Sequence, residues 1–153
     1  RSGLSNVHPV QIAHERDDRI KRLAGKIDRV LVDAPCSGLG TLRRNPDLKW
    51  RQSPESIAEM RVKQAAILAG AARLVKPGGR LVYATCSLLA LEDEDVAAEF
   101  SAAHADFEPL PAAEALARAH VTNADALVSG NHLRLWPHRH GTDGFFAALW
   151  TRR

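Results

Sequence analysis

The sequence predicts an α/β fold built around a sheet with parallel strands. Two short apolar segments with β-branched residues, residues 28–33 and 80–85, each end in a polar turn. A long segment with apolar residues at helical spacing lies between them. Strands that alternate with helices indicate βαβ units, in which the two strands are parallel. In such sheets, ligands bind at the carboxyl ends of the strands.

The first half of the chain contains two candidate strands. Residues 8–13 are a candidate strand, and residues 28–33 are a stronger one that ends on Asp33. Pro35 and Gly38 follow Asp33 as breakers, which predicts a buried strand that runs into a loop.

The central helix is predicted to begin at Ser53, as its N-cap, with Pro54 in the first turn. Residues 77–79, a Pro-Gly-Gly sequence, are expected to end it before the strand of residues 80–85. Its apolar positions recur at helical spacing: Ile57, Met60, Ala65, Leu68, Ala71, Leu74 and Val75.

Acidic residues 92–95 open the next predicted helix, where negative charge complements the helix dipole. Residues 112–119 predict a weaker, alanine-rich helix. Residues 132–136 and 144–150 are two further strand candidates, and residues 137–143 are expected to form the loop between them.

Composition fits a single domain over residues 1–153. The chain is 45% hydrophobic and 25% charged, which is ordinary for a globular protein. It contains neither a long uncharged apolar run nor a signal-peptide pattern near its start, so we expect a cytoplasmic protein without a membrane partner.

Basic residues gather around two tryptophans, although the formal net charge is only +3. Cations beside an aromatic face suit phosphate contact and base stacking, but a solvated basic surface with both tryptophans half in the core would produce the same pattern. One cluster contains Arg43, Arg44, Lys49 and Arg51 around Trp50, and the other contains Arg134, His138, Arg139 and His140 around Trp136.

Cys36 and Cys86 are the two cysteines of the chain, and each follows a predicted strand and precedes a serine. Two cysteines are too few for a disulfide scaffold or a sulfur-rich metal site, and we expect no metal. Either cysteine alone could be a small residue in a tight turn. If the intervening helix is a right-handed crossover, however, both thiols reach one site.

These motifs together resemble the Sun (Fmu) family of RNA cytosine-C5 methyltransferases, which have a Rossmann-like fold. The resemblance covers nearly the whole chain from Asp28 onward. The matching stretches are residues 30–38 (VLVDAPCSG), 43–50 (RRNPDLKW), 76–87 (KPGGRLVYATCS), 134–138 (RLWPH) and 143–146 (DGFF).

The resemblance implies roles for individual residues. Cys86 of the Thr-Cys motif would attack C6 of cytosine, and Cys36 of the Pro-Cys motif would assist release of the enzyme. Asp33 would contact the methyl donor, S-adenosyl-L-methionine, or the target base. The RNA, expected to be ribosomal, would be held by basic and aromatic residues: Arg43, Arg44, Lys49, Trp50, Arg134, His138 and His140.

The family's glycine-rich donor-binding turn has no counterpart in the sequence, because residues 76–79 follow a helix and precede a strand. The chain also starts without Met, and has His14-Glu15 where the family has an acid after a strand. We therefore expect an incomplete Rossmann-like sheet that lacks its N-terminal strands and has partly antiparallel C-terminal strands. Such a piece would have little activity alone, and its bare edge at residues 29–32 could support a homodimer.

Three rival interpretations remain open from the sequence. A DNA cytosine-C5 methyltransferase would use the Pro-Cys cysteine, Cys36, as its nucleophile. A non-catalytic RNA-binding module would use only the basic clusters. A thiol-redox domain would normally carry a Cys-x-x-Cys motif, which this chain lacks.

Overall fold

A computed structural model describes residues 3–153 and shows one mixed sheet of six strands in that range. The strand order is β1-β2-β6-β5-β4, with β3 beside β6. β1 and β2 are parallel and the remaining pairs are antiparallel, which confirms the predicted α/β sheet with partly antiparallel C-terminal strands. The strands are β1 (Ile27–Asp33), β2 (Val75–Thr85), β3 (Phe107–Pro109), β4 (Val128–Ser129), β5 (His132–Leu135) and β6 (Phe145–Arg152).

The helices include a long one between β1 and β2, as the apolar spacing predicts. It begins after Ser53, whose side chain accepts a hydrogen bond from Ser56 N while Ser56 Oγ accepts one from Ser53 N. The helices are α1 (Asp18–Lys21), α2 (Leu48–Arg51), α3 (Pro54–Ala72), α4 (Glu94–Ala103), α5 (Ala112–Arg118) and α6 (Pro137–His140). Two 3-10 turns cover Leu39–Thr41 and Ala124–Leu127.

The core lies between the sheet and the pair α3 and α4. Side chains on a strand alternate between the two faces of the sheet, so every second residue of β1, β2 and β6 points to these helices. The buried residues of this layer include Val32, Leu81, Tyr83, Phe146, Ala148 and Trp150 from the sheet, and Leu68, Ala72, Val96, Ala97 and Phe100 from the helices.

The opposite face of β1 is largely uncovered. Leu31 points away from the core and is 68% exposed. β1 pairs only with β2 among the described strands, so its other edge is open, as the sequence predicts for residues 29–32. No helix within residues 3–153 is long and apolar enough to cross a membrane.

Three local predictions were wrong. Residues 8–13 form no strand, and their side chains are exposed because no neighbouring strand pairs with them. α3 ends at Ala72, before the Pro-Gly-Gly sequence, because Val75 already pairs with Ile27 as part of β2. Residues 137–143 were expected to be a loop, but Pro137 starts the short helix α6.

Candidate active site

Cys36 and Cys86 meet at one edge of the sheet. β1 and β2 run in register, with Asp33 beside Ala84, so both strands end at the same level and the chain turns there twice. Ala34 N donates a hydrogen bond to Ala84 O at 2.9 Å, which extends the pairing to the start of the Pro-Cys turn. The two sulfur atoms lie 3.5 Å apart, in hydrogen-bonding contact, and both thiols are free.

The surroundings of Cys36 favour the neutral thiol. Burial raises the pKa of Cys36 to about 12, although the backbone N–H of Gly38 partly opposes this rise. Cys36 therefore carries its proton at neutral pH. As a neutral thiol it can donate a hydrogen bond to the sulfur of Cys86.

A third segment of the chain fastens the turn after β2. Gly40 N donates to Cys86 O at 2.8 Å, and Gly144 N donates to Gly40 O at 2.9 Å. A Cβ atom on Gly40 would lie 2.6 Å from Cys86 O and closer still to Gly144 O, so only glycine fits at this crossing. The Asp-Gly-Phe-Phe motif at residues 143–146 thus reaches the cysteine site through Gly144.

The buried side chain of Glu92 connects the two cysteine-bearing turns through hydrogen bonds. It was expected to support the helix dipole, but its side chain is 0% exposed and lies under both turns. Its carboxylate accepts hydrogen bonds from the hydroxyls of Ser37 and Ser87, the serines that directly follow the two cysteines. The sequence signal for this arrangement is the Cys-Ser pair that occurs after both strands. The sequence analysis assigned roles to the two cysteines and none to the two serines.

Arg134 is buried rather than placed on a surface for RNA. Its side chain is 4% exposed and pairs with the carboxylate of Asp93, which also accepts a hydrogen bond from Thr85 Oγ1 at 2.5 Å. Its guanidinium lies over the ring of Trp136, with 4.5 Å to the ring centroid. This burial corrects the expectation that Arg134 holds the RNA backbone, because its charge is engaged inside the fold.

Asp93 was also expected to act through the helix dipole, and it too has an internal partner. Burial raises the pKa of Asp93 to about 6, against the lowering effect of the hydrogen bonds from Thr85 and Arg134. Thr85 immediately precedes Cys86, so the Asp93–Arg134 pair ties β5 to the end of β2.

The first basic cluster is an exposed surface beside the site. Arg43, Arg44, Lys49 and Trp50 are all exposed, and Trp50 is 80% exposed with Lys49 Nζ 4.7 Å from its ring centroid. Trp50 is therefore not half in the core. Arg43 and Arg44 line an open depression of about 430 Å³ whose other walls include Asp143, the residue before Gly144. Arg44 pairs with Asp143 at its rim.

The second basic cluster is divided by the fold. His138 is exposed on α6. His140 is half-buried, and both of its ring nitrogens have partners: Nε2 lies 2.9 Å from Ala126 O and Nδ1 accepts from Trp136 N at 2.8 Å. His140 thus connects α6 to the 3-10 turn at Ala124–Leu127.

Asp33 is exposed at the end of β1, the same edge of the sheet that carries the thiols. Residues 76–79 lie at the other end, as a bulge in β2 between Val75 and Arg80, beside the start of β1. That glycine-containing bulge is therefore remote from the thiols. Within the described part of the chain, no group of three His, Cys, Asp or Glu side chains is placed to hold a metal ion.

Residues 3–151 match the family model described as 16S rRNA methyltransferase RsmB/F. A protein of Synechocystis sp. named "Probable ribosomal RNA small subunit methyltransferase B" is 47% identical over 80% of this chain and 26% of its own length. The ribosomal RNA small subunit methyltransferase B of Klebsiella pneumoniae (strain 342) is 39% identical over 84% of this chain and 27% of its own length. The chain thus spans roughly a quarter of these relatives.

Solved structures share the fold. NSun6 from Pyrococcus horikoshii, determined with SFG, has a TM-score of 0.72 and 27% identity, over 98% of this chain and 35% of that one. A methyltransferase homologue from the same organism has a TM-score of 0.63 and 31% identity, over 88% of this chain and 42% of that one. Both agreements support the mixed α/β methyltransferase sheet.

Proposed function

The chain belongs to the 16S rRNA methyltransferase RsmB/F family, and on this premise we propose that it carries the two catalytic thiols of an RNA cytosine-C5 methyltransferase. The proposed substrate is a cytosine of ribosomal RNA, and the proposed donor is S-adenosyl-L-methionine. The observation that carries the proposal is the 3.5 Å separation of Cys36 Sγ and Cys86 Sγ at the ends of two parallel strands.

Cys86 is the proposed nucleophile. C5 of cytosine is too weakly nucleophilic to take a methyl group directly. When the Cys86 thiolate adds to C6, the ring's electron density moves to C5, which then forms the bond to the methyl carbon. The hydrogen bonds from Gly40 and within the Ser87 turn hold the backbone of Cys86 in place for this attack.

Cys36 is the proposed assistant in release. After methyl transfer, C5 must lose its proton so that the bond between C6 and Cys86 sulfur can break and the thiolate can leave. The raised pKa of Cys36 keeps it a neutral thiol at rest. In release it would give that proton to the departing Cys86 sulfur and take up the C5 proton in exchange, so that it ends the step as a neutral thiol again. The position of Cys36 beside the Cys86 sulfur also suits proton transfer.

S-adenosyl-L-methionine would supply the methyl group, and Asp33 is the proposed contact to it or to the base. The exposed carboxylate of Asp33 lies at the same sheet edge as the thiols and can accept hydrogen bonds from either ligand. NSun6 from Pyrococcus horikoshii was solved with SFG, an analogue of this donor, which supports S-adenosyl-L-methionine as the methyl donor.

RNA contact is assigned to the exposed cations and aromatic ring beside the site. Arg43, Arg44, Lys49 and Trp50 border the segment that reaches Cys86, and His138 is a further exposed candidate. A target base must leave its stack to reach the thiols, and exposed aromatic and basic side chains stabilise such an opened strand.

A DNA cytosine-C5 methyltransferase is disfavoured by the chemistry of the two thiols. That class would attack through the Pro-Cys cysteine, here Cys36, and would not need the Thr-Cys cysteine, Cys86, whose sulfur lies 3.5 Å from that of Cys36. A non-catalytic RNA-binding module would need no second thiol beside the first.

The test is covalent trapping on RNA that contains 5-fluorocytosine, in the presence of S-adenosyl-L-methionine and with the full-length protein that contains this chain. Fluorine at C5 cannot leave as a proton would, so an attacking cysteine stays bonded to C6. We expect Cys86→Ala to abolish the trapped complex. Cys36→Ala should increase the trapped complex, because release of Cys86 from C6 is slowed. Trapping that survives Cys86→Ala would overturn the proposal.

A further inference from the structure

We propose that Glu92 is a positioning residue that sets the separation and orientation of the two thiols. A role for Glu92 in catalysis depends on the proposed function being correct. The hydrogen bonds of Glu92 are independent of that proposal. Glu92 touches neither thiol, and acts on them through the serine that follows each one.

The contacts of Glu92 reach both turns at once. Ser37 N donates to Oε1 at 2.8 Å, and the hydroxyls of Ser37 and Ser87 both donate to Oε2 at 2.5 Å. The two hydroxyl oxygens are themselves 3.3 Å apart. One carboxylate oxygen therefore bridges the two Cys-Ser pairs, just as the two sulfur atoms meet above it.

Buried neighbours hold the carboxylate itself. Gln64 of α3 donates through Nε2 to Glu92 Oε1 at 3.1 Å and to Pro35 O at 2.9 Å, so it braces both Glu92 and the Pro-Cys turn. The Tyr83 hydroxyl donates to Glu92 O at 2.6 Å and fixes the backbone. Glu92, Gln64 and Tyr83 are each 0% exposed, so water cannot replace these contacts easily.

A carboxylate is the group that this position requires. Four donors converge on the two oxygens of Glu92: one backbone N–H, two hydroxyls and one amide. An ionised carboxylate only accepts hydrogen bonds, and its bonds are stronger than those of a neutral amide. A glutamine here would turn its NH₂ group toward at least one donor, and would release one of the two turns.

The test measures the equilibrium between the two thiols and glutathione in the chain itself, without RNA or methyl donor. Oxidation joins Cys36 and Cys86 in a disulfide, and one oxidised glutathione is reduced to two thiols. Because these are the two cysteines of the chain, the equilibrium constant reports how well they are held together. We expect Glu92→Gln to lower this constant about tenfold, the size of effect expected for losing a charged hydrogen bond.

Two control variants separate positioning from general stability. Glu99→Gln changes an exposed carboxylate on α4, the helix that begins two residues after Glu92, and should leave the constant unchanged. Leu68→Ala removes a buried apolar side chain, which forms no hydrogen bond with either turn, so it should lower the melting temperature but not the constant. An unchanged or increased constant in folded Glu92→Gln would overturn the proposal.

If Glu92→Gln does not fold, Ser37→Ala takes its place, because the Ser37 hydroxyl contacts only Glu92 and the Ser87 hydroxyl, and Ser37 N still pairs the carboxylate. A several-fold fall in the constant is then expected, and no change would overturn the proposal. Loss of RNA trapping in Cys86→Ala is a separate readout. Failure of the glutathione test therefore leaves the proposed function standing, and failure of trapping leaves the positioning result standing.

Discussion

At the level of single residues, Cys36 illustrates how burial can suppress a reactive group. Its pKa of about 12 means that it ionises only in strongly alkaline solution. A thiol held neutral in this way can pass a proton without competing with its neighbour for an electrophile.

This property predicts a pH profile for alkylation. In the Cys86→Ala variant, burial still raises the pKa of Cys36 although the contribution of Cys86 is lost, so we expect Cys36 to react with iodoacetamide at pH 8 more slowly than glutathione. Because the folded pKa is raised, the rate should still increase above pH 10, where a free thiol has levelled off. Rates from mass spectrometry of the alkylated chain provide the measurement. A plateau near pH 9 would contradict the burial argument.

Arg134 is the second residue whose surroundings decide its role. We expect Arg134→Met to destabilise the fold by about 3–5 kcal/mol at pH 7.5, because it leaves the buried Asp93 carboxylate unpaired. The loss should be smaller at pH 5. A carboxyl whose folded pKa is raised contributes stability at low pH that is lost as pH rises through that pKa.

Urea unfolding at the two pH values measures this effect. Arg139→Met, which removes an exposed cation from α6, is the matched control and should change stability little at either pH. If both variants lost the same free energy of unfolding, Arg134 would contribute no more to stability than an exposed cation does.

At the level of elements, the cysteine site is an assembly of segment ends. The thiols follow the ends of β1 and β2. The 3-10 turn at Leu39–Thr41 contacts the backbone of Cys86 through Gly40, and Gly144, just before β6, contacts Gly40 in turn. The three segments meet at a close backbone crossing, where Gly40 N bonds to Cys86 O and Gly144 N bonds to Gly40 O.

Gly40→Ala tests that crossing. Its new Cβ would meet two backbone carbonyls, which cannot rotate away as a side chain could, so we expect a loss of about 1–3 kcal/mol. The turn that carries Cys86 should shift as well, and trapping on fluorocytosine RNA should fall. Thermal unfolding together with the trapping assay provides the measurement. A variant as stable and as active as the parent would contradict the tight crossing.

At the level of the whole molecule, β1 has one unpaired edge among the strands of residues 3–153, and Leu31 on this strand is exposed. An unpaired strand edge can add a strand from another molecule. Self-association through this edge therefore remains a prediction of the fold.

Leu31→Lys tests this prediction, because a charge on an edge strand opposes edge-to-edge pairing. We expect the parent chain to sediment partly as a dimer at high concentration and the variant to remain monomeric. Val62→Lys, an equally drastic change at an exposed position on α3, should leave the association unchanged. A strictly monomeric parent would exclude a dimer at this edge.

Several features of the site could be predicted because they depend on short stretches of chain. The apolar runs before Cys36 and Cys86, the N-cap at Ser53 and the helical spacing up to Ala72 are local patterns, and each appears in the structure. The parallel pairing followed from the helix between the two strands. Together these patterns were sufficient to bring the two thiols to one edge.

The burial and the partners of the charged residues beneath the thiols could not be predicted from the sequence, because they depend on tertiary structure. From sequence, Glu92 and Asp93 resemble ordinary acids at a helix start, and Arg134 resembles a surface cation. Whether such a charge faces solvent or a buried partner depends on residues distant in the chain, Ser37 and Arg134 among them. The location of the thiols follows from local sequence patterns, whereas the groups that hold them in place depend on the fold, because burial and pairing arise between segments.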